Sequence, residues 1–342
     1  MADLQTLIAN VIEPSISSKY FLEQTTTKSL LVQSGIAVAT PEVVEAANQG
    51  GRLVTMPFWD DLPNDSGANI SKVGTQTDAA ITPAGITSDS DIAVKHFRTQ
   101  AWNVSPILKY IAGSDPAQVA LQRYSNWWMR EEQRLLLLTL KGVFSDATLA
   151  SALSNDISGE VATTDATKLI GSDAVQDTRF LLGDAYDKFT AIIMHSVPFK
   201  RLSKLDLIDF APVSEQNPSN MPKYMGMNVI VDDSMTVVAG STSGNKYHTF
   251  LFGQGAFARV DIPLVGEDPN IEVYRVPTQG VGAGSTTVIT RKYFVLHPRG
   301  CKWNQSASST VASPSDSDIQ SDNWTQAFAT KNIRMARLIT NG

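Results

Sequence analysis

The feature that most constrains this 342-residue chain is a polar stretch of 29 residues, Pro63–Asp91, which lacks Leu, Phe, Trp, Tyr and Met and has Lys72 as its one basic residue. Strand-like segments flank it, Arg52–Trp59 and Ile92–Arg98, so the sequence predicts a β-hairpin with a long polar tip. Ordering each residue costs roughly 1–2 kcal/mol of backbone entropy, and the tip has little apolar area to offset that cost. Structureless loops longer than about 12–15 residues are uncommon in compact domains unless they are functional or disordered. The tip is therefore either disordered or ordered by contacts outside the monomer, and the second alternative would make the chain a building block.

Composition indicates a folded protein with a large core and an acidic balance. The hydrophobic fraction is 42%, the charged fraction is 18% and the formal net charge is −6. This balance argues against nucleic-acid binding as the main activity, and the low charge content suits a surface covered by neighbours. The single cysteine, Cys301, excludes an intrachain disulfide framework. Residues 1–14 have neither a basic region nor a long apolar core, so we expect no signal peptide and no membrane span.

The strongest helix prediction covers Pro116–Lys141. Asp115 has an N-cap side chain, Pro116 suits the first turn, and Gly142 stands where a C-terminal glycine is expected. Apolar residues at helical spacing form one stripe: Leu121, Tyr124, Trp128, Leu135 and Leu138. Arg123, Arg130 and Glu132 lie among polar positions, and Glu131 and Glu132 interrupt the stripe. At about 1.5 Å per residue the helix is on the order of 40 Å long, well above the mean for globular domains. We expect it to be a spine that runs the length of the subunit.

The rest of the chain divides into shorter elements. A helix over residues 41–47 is predicted with Thr40 as its N-cap. After Ser145, strands and helices alternate, which predicts a compact α/β lobe. Its predicted elements are helices at Asp173–Leu182 and from a cap at Ser196, and strands at Ala191–Met194, Met225–Val231 and Tyr247–Phe252. The chain returns to strand from Thr286, and Ser306–Ser321 is predicted to be a polar surface loop.

No motif for catalysis, a cofactor or a metal stands out. The histidines are isolated from one another, which favours structural roles: His96, His195, His248 and His297. Gly253–Ala258 loosely matches a dinucleotide fingerprint, but a strand follows it, so we interpret it as a turn. The glycine-rich loop at 280–286 lacks the lysine of a phosphate loop. The pairs Asp60-Asp61 and Asp232-Asp233 are interpreted as solvated turn residues, with Ca²⁺ binding as a minor alternative.

Aromatic residues mark two candidate contact regions. Trp127 and Trp128 are adjacent on the predicted helix and point about 100° apart, so they cannot both face one core layer. One of them is a candidate for a subunit contact, although two core residues in a thick slab is an equally good interpretation. Phe58 and Trp59 stand at the base of the hairpin.

The order of these parts resembles the major capsid proteins of tailed bacteriophages with the HK97-like fold. The segments that carry the resemblance are GGRLVTMPFWDDL (50–62), the helix at 115–144, 182–210, YMGMNVIVDD (224–233) and YFVLHPRG (293–300). It covers essentially the whole chain and implies an α+β fold. The domains it implies are an N-terminal arm (1–50), an extended hairpin loop (51–105), a peripheral domain with the spine helix (106–164), an α/β axial domain (165–285), and return strands with the C-terminal part of the peripheral domain (286–342).

The resemblance implies a structural protein, not an enzyme, that self-assembles into an icosahedral virion shell of hexamers and pentamers. The shell would enclose double-stranded DNA without sequence-specific binding, cofactor or membrane, after assembly in the host cytoplasm. Because the chain starts at Met1 without the large pro-segment of some members, we expect a separate scaffolding protein, and also a portal. The residues expected at assembly contacts are Phe58, Trp59, Asp65, Lys72, Asp78, Trp127, Arg130 and Glu131.

Some members crosslink the extended loop through a lysine and an asparagine. Lys72 alone is weak evidence for that chemistry, so we predict no crosslink, which a ladder of covalent multimers on a denaturing gel would contradict. Deleting Asn64–Ser90 is predicted to leave a folded subunit that fails to form particles.

Two alternative functions remain open at this point. An encapsulin-type nanocompartment has the same fold and would enclose an enzyme instead of DNA. An α/β enzyme would need a cleft that the sequence does not reveal, and a monomer in size-exclusion chromatography would favour it.

Overall fold

The computed structural model describes residues 35–39, 41–48, 50–62, 70–71, 73, 83, 85–112, 115–162, 165–210, 222–263, 270–279, 283–304 and 313–342. The strands are β1 (Ala37–Val38), β2 (Leu53–Trp59), β3 (Ser88–Val104), β4 (Ser154–Asp156), β5 (Phe189–Met194), β6 (Lys223–Tyr224), β7 (Met227–Val231), β8 (Val237–Ala239), β9 (Asn245–Gly253), β10 (Phe257–Asp261), β11 (Ile271–Val276), β12 (Ser285–Pro298), β13 (Cys301–Trp303), β14 (Trp324–Gln326) and β15 (Met335–Thr340). The α-helices are α1 (Pro41–Asn48), α2 (Leu108–Ala112), α3 (Pro116–Val143), α4 (Ala147–Leu153), α5 (Ser172–Arg179), α6 (Ser196–Lys204) and α7 (Asp316–Gln320). Three 3₁₀ segments cover Ala166–Lys168, Phe180–Lys188 and Thr330–Asn332.

The predicted hairpin is confirmed and forms part of a larger sheet. Strand order is β1-β10-β12-β3-β2, and β11 also pairs with β12. The 17-residue strand β3 pairs antiparallel with β2 along its first half and with β12 along its second half. Thus one long strand joins the hairpin to the body of the subunit.

The hairpin strand begins earlier than the sequence predicted. Ser88–Asp91 belong to β3, where Trp59 pairs with Ser88 and Met56 with Asp91. Assigning these residues to the polar tip was therefore wrong. Polar side chains suit this strand because Asp89 and Asp91 find partners on elements far away in the sequence.

The predicted α/β lobe is a second sheet with strand order β4-β15-β9-β5-β7-β6, and β8 beside β9. Strands β5 and β7 run parallel and are joined through α6, whereas β9 runs antiparallel to both β5 and β15. The N-cap of α6 is His195, whose Nδ1 accepts a hydrogen bond from the Val197 N–H at 3.2 Å. The expectation that Ser196 caps this helix was wrong, since Ser196 is its first residue.

The predicted spine helix is α3, which has 28 residues and is therefore about 42 Å long. Asp115 caps it as predicted, because its side chain accepts from the Ala117 N–H at 3.1 Å. The predicted apolar stripe accounts for only part of the buried surface of this helix. Its second half is buried on several sides, with Leu135, Leu136 and Leu140 all in the core. Elements pack around this half, including β9, whose Phe250 contacts Phe144 just after the helix end.

Gly142 does not end the spine helix. It lies one residue before the last helical position, and a Cβ there would be 2.0 Å from the carbonyl oxygen of Ile319 and 2.9 Å from the Trp324 ring. Glycine is required because α7 packs directly on this turn. The prediction of a surface loop over Ser306–Ser321 was accordingly wrong for its last part. Ser315 and Asp318 form a capping box for α7, whose Ile319 is fully buried.

Within the described residues, no single helix has both the length and the apolar composition of a membrane span. The spine helix and α4 reach that composition only when taken together, across a bend of 96°.

Candidate functional site

Asp60 closes the base of the hairpin, and Asp89 and Asp91 of the polar stretch fix it to the rest of the subunit. Asp60 and Thr87 close it, since the Asp60 N–H donates to the Thr87 carbonyl at 3.0 Å and Thr87 Oγ1 donates to Asp60 Oδ2 at 2.6 Å. Two residues after Thr87, Asp89 Oδ2 accepts a hydrogen bond from Lys302 Nζ of β13 at 2.8 Å. This hydrogen bond to Lys302 holds the pKa of Asp89 below its ordinary value.

Asp91 forms the buried anchor of the same strand. Its Oδ1 lies 2.8 Å from Nε2 of the fully buried His297, and its Oδ2 accepts from the Gly300 N–H at 3.1 Å. Burial by itself raises the pKa of Asp91, but the interactions with His297 and Gly300 outweigh it and leave the pKa lowered. The carboxylate thus ties β3 to the turn between β12 and β13.

The aromatic pair at the hairpin base has two different environments. Phe58 packs edge-on against Phe328, with ring centroids 4.8 Å apart. Trp59, next to it, is 74% exposed. Of the other hairpin residues predicted at assembly contacts, Asp65, Lys72 and Asp78 lie outside the described residues.

The two adjacent tryptophans of the spine helix also differ. Trp128 is buried, and its Nε1 donates to Thr290 Oγ1 at 3.3 Å. Trp127 is half-buried and makes edge contacts with Trp102 and Trp128 at centroid distances of 5.6 and 4.9 Å. The structure therefore places one tryptophan inside, as the 100° separation required, and leaves the other partly accessible.

Arg130 and Glu131 have partners within the subunit. Arg130 Nε donates to the Asn126 carbonyl at 3.3 Å, and Glu131 accepts from Arg134 Nε at 2.9 Å. Arg134 also donates to Asp316 of α7 at 2.8 Å, so this network joins the spine helix to α7. The two residues lie close to Trp127 on the helix, and their role at subunit contacts stays a prediction.

Glu132 was expected among polar positions, and that expectation was wrong. Its side chain is 3% exposed and accepts from Arg259 Nε at 2.8 Å and from Lys292 Nζ. Burial raises the pKa of Glu132, but the two cations outweigh that effect and leave it lowered. Because these cations lie on β10 and β12, the carboxylate fastens the spine helix to the hairpin sheet. The available sequence signal was a carboxylate interrupting an apolar stripe.

The titratable residues considered for metals or catalysis have structural surroundings. Burial lowers the pKa of His96 to about 3 and that of His248 to about 4. Cys301 is fully buried, which raises its pKa. Asp232 is buried and accepts hydrogen bonds from Gln133 and Ser234, so its assignment as a solvated residue was wrong. In the part of the chain that the structure describes, no group of three or more His, Cys, Asp or Glu residues is arranged to hold a metal ion.

The family model of the major capsid protein 13-like proteins matches residues 43–334. The major capsid protein of Bacillus phage SPP1 is 34% identical over 338 residues, which are 97% of each chain. The chain belongs to the major capsid protein 13-like family. It is accordingly a phage major capsid protein, a structural component of the virion shell.

Solved structures show the same fold at much lower identity. The capsid of Ralstonia phage GP4 superposes with a TM-score of 0.63 at 9% identity over 96% of each chain. The cyanophage Pam1 capsid gives a TM-score of 0.59 at 10% identity, over 100% of this chain and 99% of that one. The HK97-like α+β fold is therefore confirmed for this member of the family. All of these matches are to phage capsids, so an encapsulin-type compartment is not favoured.

Proposed function

We propose that this capsid protein builds its shell through the hairpin, whose base is fixed to its own subunit and whose tip lies on a neighbour. The observation that carries the proposal is a set of large apolar side chains exposed along the hairpin. Its members are Trp59 (74% exposed), Leu62 (67%), Ile70 (48%), Val73 (88%) and Ile86 (66%). Five large apolar groups exposed along one arm favour a surface that a partner covers. Interfaces of permanent assemblies bury about 2,000–5,000 Å² or more, enough to offset the entropy of ordering the tip.

The proposal includes the division of the chain that the resemblance implied. Residues 51–105 form the extended loop, 106–164 the peripheral domain, 165–285 the axial domain around the centre of each hexamer or pentamer, and 286–342 the return to the peripheral domain. Contacts near Trp127, Arg130 and Glu131 would join neighbouring subunits. The role is purely structural, without catalysis.

The partners are proposed on physical grounds as well. With 34 acidic and 28 basic residues, the chain suits a shell that encloses double-stranded DNA without gripping it. Assembly in the host cytoplasm is proposed to need a separate scaffolding protein and a portal. Expressing the capsid protein with and without the other head proteins of its phage tests this: aberrant particles from the chain alone are expected, and regular shells from the chain alone would argue against a scaffold.

The hairpin proposal is tested by a deletion that respects the structure. Because Ser88–Ser90 belong to β3 and Asp60 bonds to Thr87, the deletion should cover residues 64–84 and leave the hairpin base intact. The shortened chain should keep the circular dichroism spectrum and thermal stability of the wild type. In electron micrographs it should form no closed shells under conditions in which the wild type does.

A second variant separates the effect of losing the apolar contacts from the effect of shortening the loop. Replacing Leu62, Ile70, Val73 and Ile86 together by serine keeps the full-length tip and removes its exposed apolar groups. This variant should also fail to assemble. Normal shells from both variants would contradict the proposal.

A further inference from the structure

Two open clefts meet beside the base of the hairpin. One has a volume of about 800 Å³ and lies along Trp59, Lys188 and Arg334. The other has a volume of about 500 Å³ and lies against α1 and the start of the hairpin. Both are lined by Phe58, Arg299 and Phe328, so the edge-on pair of phenylalanines and Arg299 form the boundary between them.

Arg299 is the unusual residue of this boundary. It is half-buried, and within the described residues no hydrogen bond or ion pair engages its guanidinium group, although its backbone N–H donates to Ala256. It lies near enough to Asp91 to lower the pKa of that carboxyl, but Asp91 is already bonded to His297 and Gly300. A guanidinium has five N–H donors, and removing them partly from water without a partner costs free energy.

The other charged residues of the larger cleft are two carboxylates and two cations, and all four have hydrogen-bonding partners. Asp60 accepts from Thr87 Oγ1, and Asp61 accepts from the Leu62 N–H. Arg334 Nη1 donates to the Gln254 carbonyl at 2.9 Å, and Lys188 Nζ donates to the Lys331 carbonyl at 3.4 Å. Trp59 adds an exposed indole at the cleft wall. The larger cleft therefore holds three cations against two carboxylates, with unused guanidinium donors on Arg299 and an exposed indole, which suits a carboxylate carried next to an apolar group.

We propose that this cleft binds a second copy of the chain, which inserts an aspartate or glutamate against Arg299 and packs an adjoining apolar group on Trp59. The inference rests on the proposed shell assembly. A second copy fits because the chain has six more acidic than basic residues, so its own surface carries surplus carboxylates, 34 against 28. The cleft is also continuous with the exposed apolar hairpin surface, through Trp59.

Charge reversal at the cleft tests the ion pair. Arg299→Glu should leave the isolated subunit folded, with some loss of melting temperature because the new carboxylate stands near Asp91, and should raise the subunit concentration needed for shell formation at least about tenfold. Arg299→Lys keeps the charge without the fork and should give an intermediate value. Lys168→Glu, the same change at an exposed lysine of a 3₁₀ segment, is the matched control and should assemble like the wild type. Assembly of Arg299→Glu at the wild-type concentration would overturn the inference.

Photo-crosslinking identifies the occupant. With p-benzoylphenylalanine in place of Trp59, assembled shells should yield a dimer whose crosslinked peptide from the second copy contains an aspartate or glutamate. Crosslinks confined to one chain, or to a different protein, would overturn the inference. If the protein forms shells in the same experiment but the expected crosslink is absent, the cleft proposal fails while the proposed shell assembly stands.

Discussion

Substituting Gly142 by alanine sets two physical effects of opposite sign against each other. Alanine is favoured over glycine inside a helix by about 1 kcal/mol, so propensity predicts that Gly142→Ala stabilises the spine helix. The structure predicts the reverse, because the new methyl group would lie 2.0 Å from the Ile319 carbonyl oxygen and 2.9 Å from the Trp324 ring. Neither neighbour can rotate away easily, since one is backbone and the other is a buried ring.

The magnitude follows from what must move. Relieving the overlap requires α7 to shift by roughly 1 Å or more, and overpacking of this kind costs about 1–3 kcal/mol or more. The methyl group would also displace the hydrogen bond of 3.0 Å from Trp324 Nε1 to the Ile319 carbonyl, with a net contribution of about 1 kcal/mol. After the propensity gain is subtracted, we expect Gly142→Ala to lower the free energy of unfolding by about 1–3 kcal/mol.

Urea denaturation of the isolated subunit, followed by tryptophan fluorescence and circular dichroism, measures this difference. Asn126→Ala is the control, because it changes an exposed position of the same helix and should be neutral or stabilising by a few tenths of a kcal/mol. If Gly142→Ala proves as stable as the wild type or more so, the close packing of α7 on the spine helix is refuted.

Three further predictions concern buried groups. Glu132→Ala leaves the charges of Arg259 and Lys292 without their shared carboxylate, so it should lower the free energy of unfolding by about 3–5 kcal/mol in denaturation experiments. Because the folded-state pKa of Glu132 is below its ordinary value of 4.5, its stabilising contribution is present above that pH and is lost as pH falls through the lowered pKa. The melting temperature of the wild type should thus fall more steeply below about pH 4.5 than that of Glu132→Gln, and parallel curves would contradict the assignment. Cys301 is fully buried with a raised pKa, so a thiol reagent should label it only after unfolding, and rapid labelling of the native subunit would contradict its placement.

Much of the local structure could be predicted from residue order. The strands flanking the polar stretch, the helix after Asp115 and the alternation of the lobe were all found close to their predicted positions. Trp128 is buried and Trp127 is half-buried, as the 100° between adjacent helical residues requires, whereas the contact roles of Trp59 and Trp127 stay predictions. These features arise from periodicity, capping and turn chemistry, which act between residues close together in the chain.

Three of the errors share one cause, which is a partner far away in the sequence. Asp91 belongs to a buried strand because of His297, 206 residues later, and Glu132 is buried because of Arg259, 127 residues later. Gly142 is needed in the helix because α7 returns to pack on it. Nothing near these residues in the chain indicates those partners.

The amino-acid sequence by itself determined where most helices and strands form and that two strands flank an unusually polar stretch, because backbone preferences and side-chain periodicity are local. Only the tertiary structure decided which polar residues act as internal anchors and which, such as Arg299, are left half-buried without a hydrogen-bonding partner among the described residues. The reason is that the free energy of burying a charge depends on the groups around it, and the fold brings those groups from distant parts of the chain.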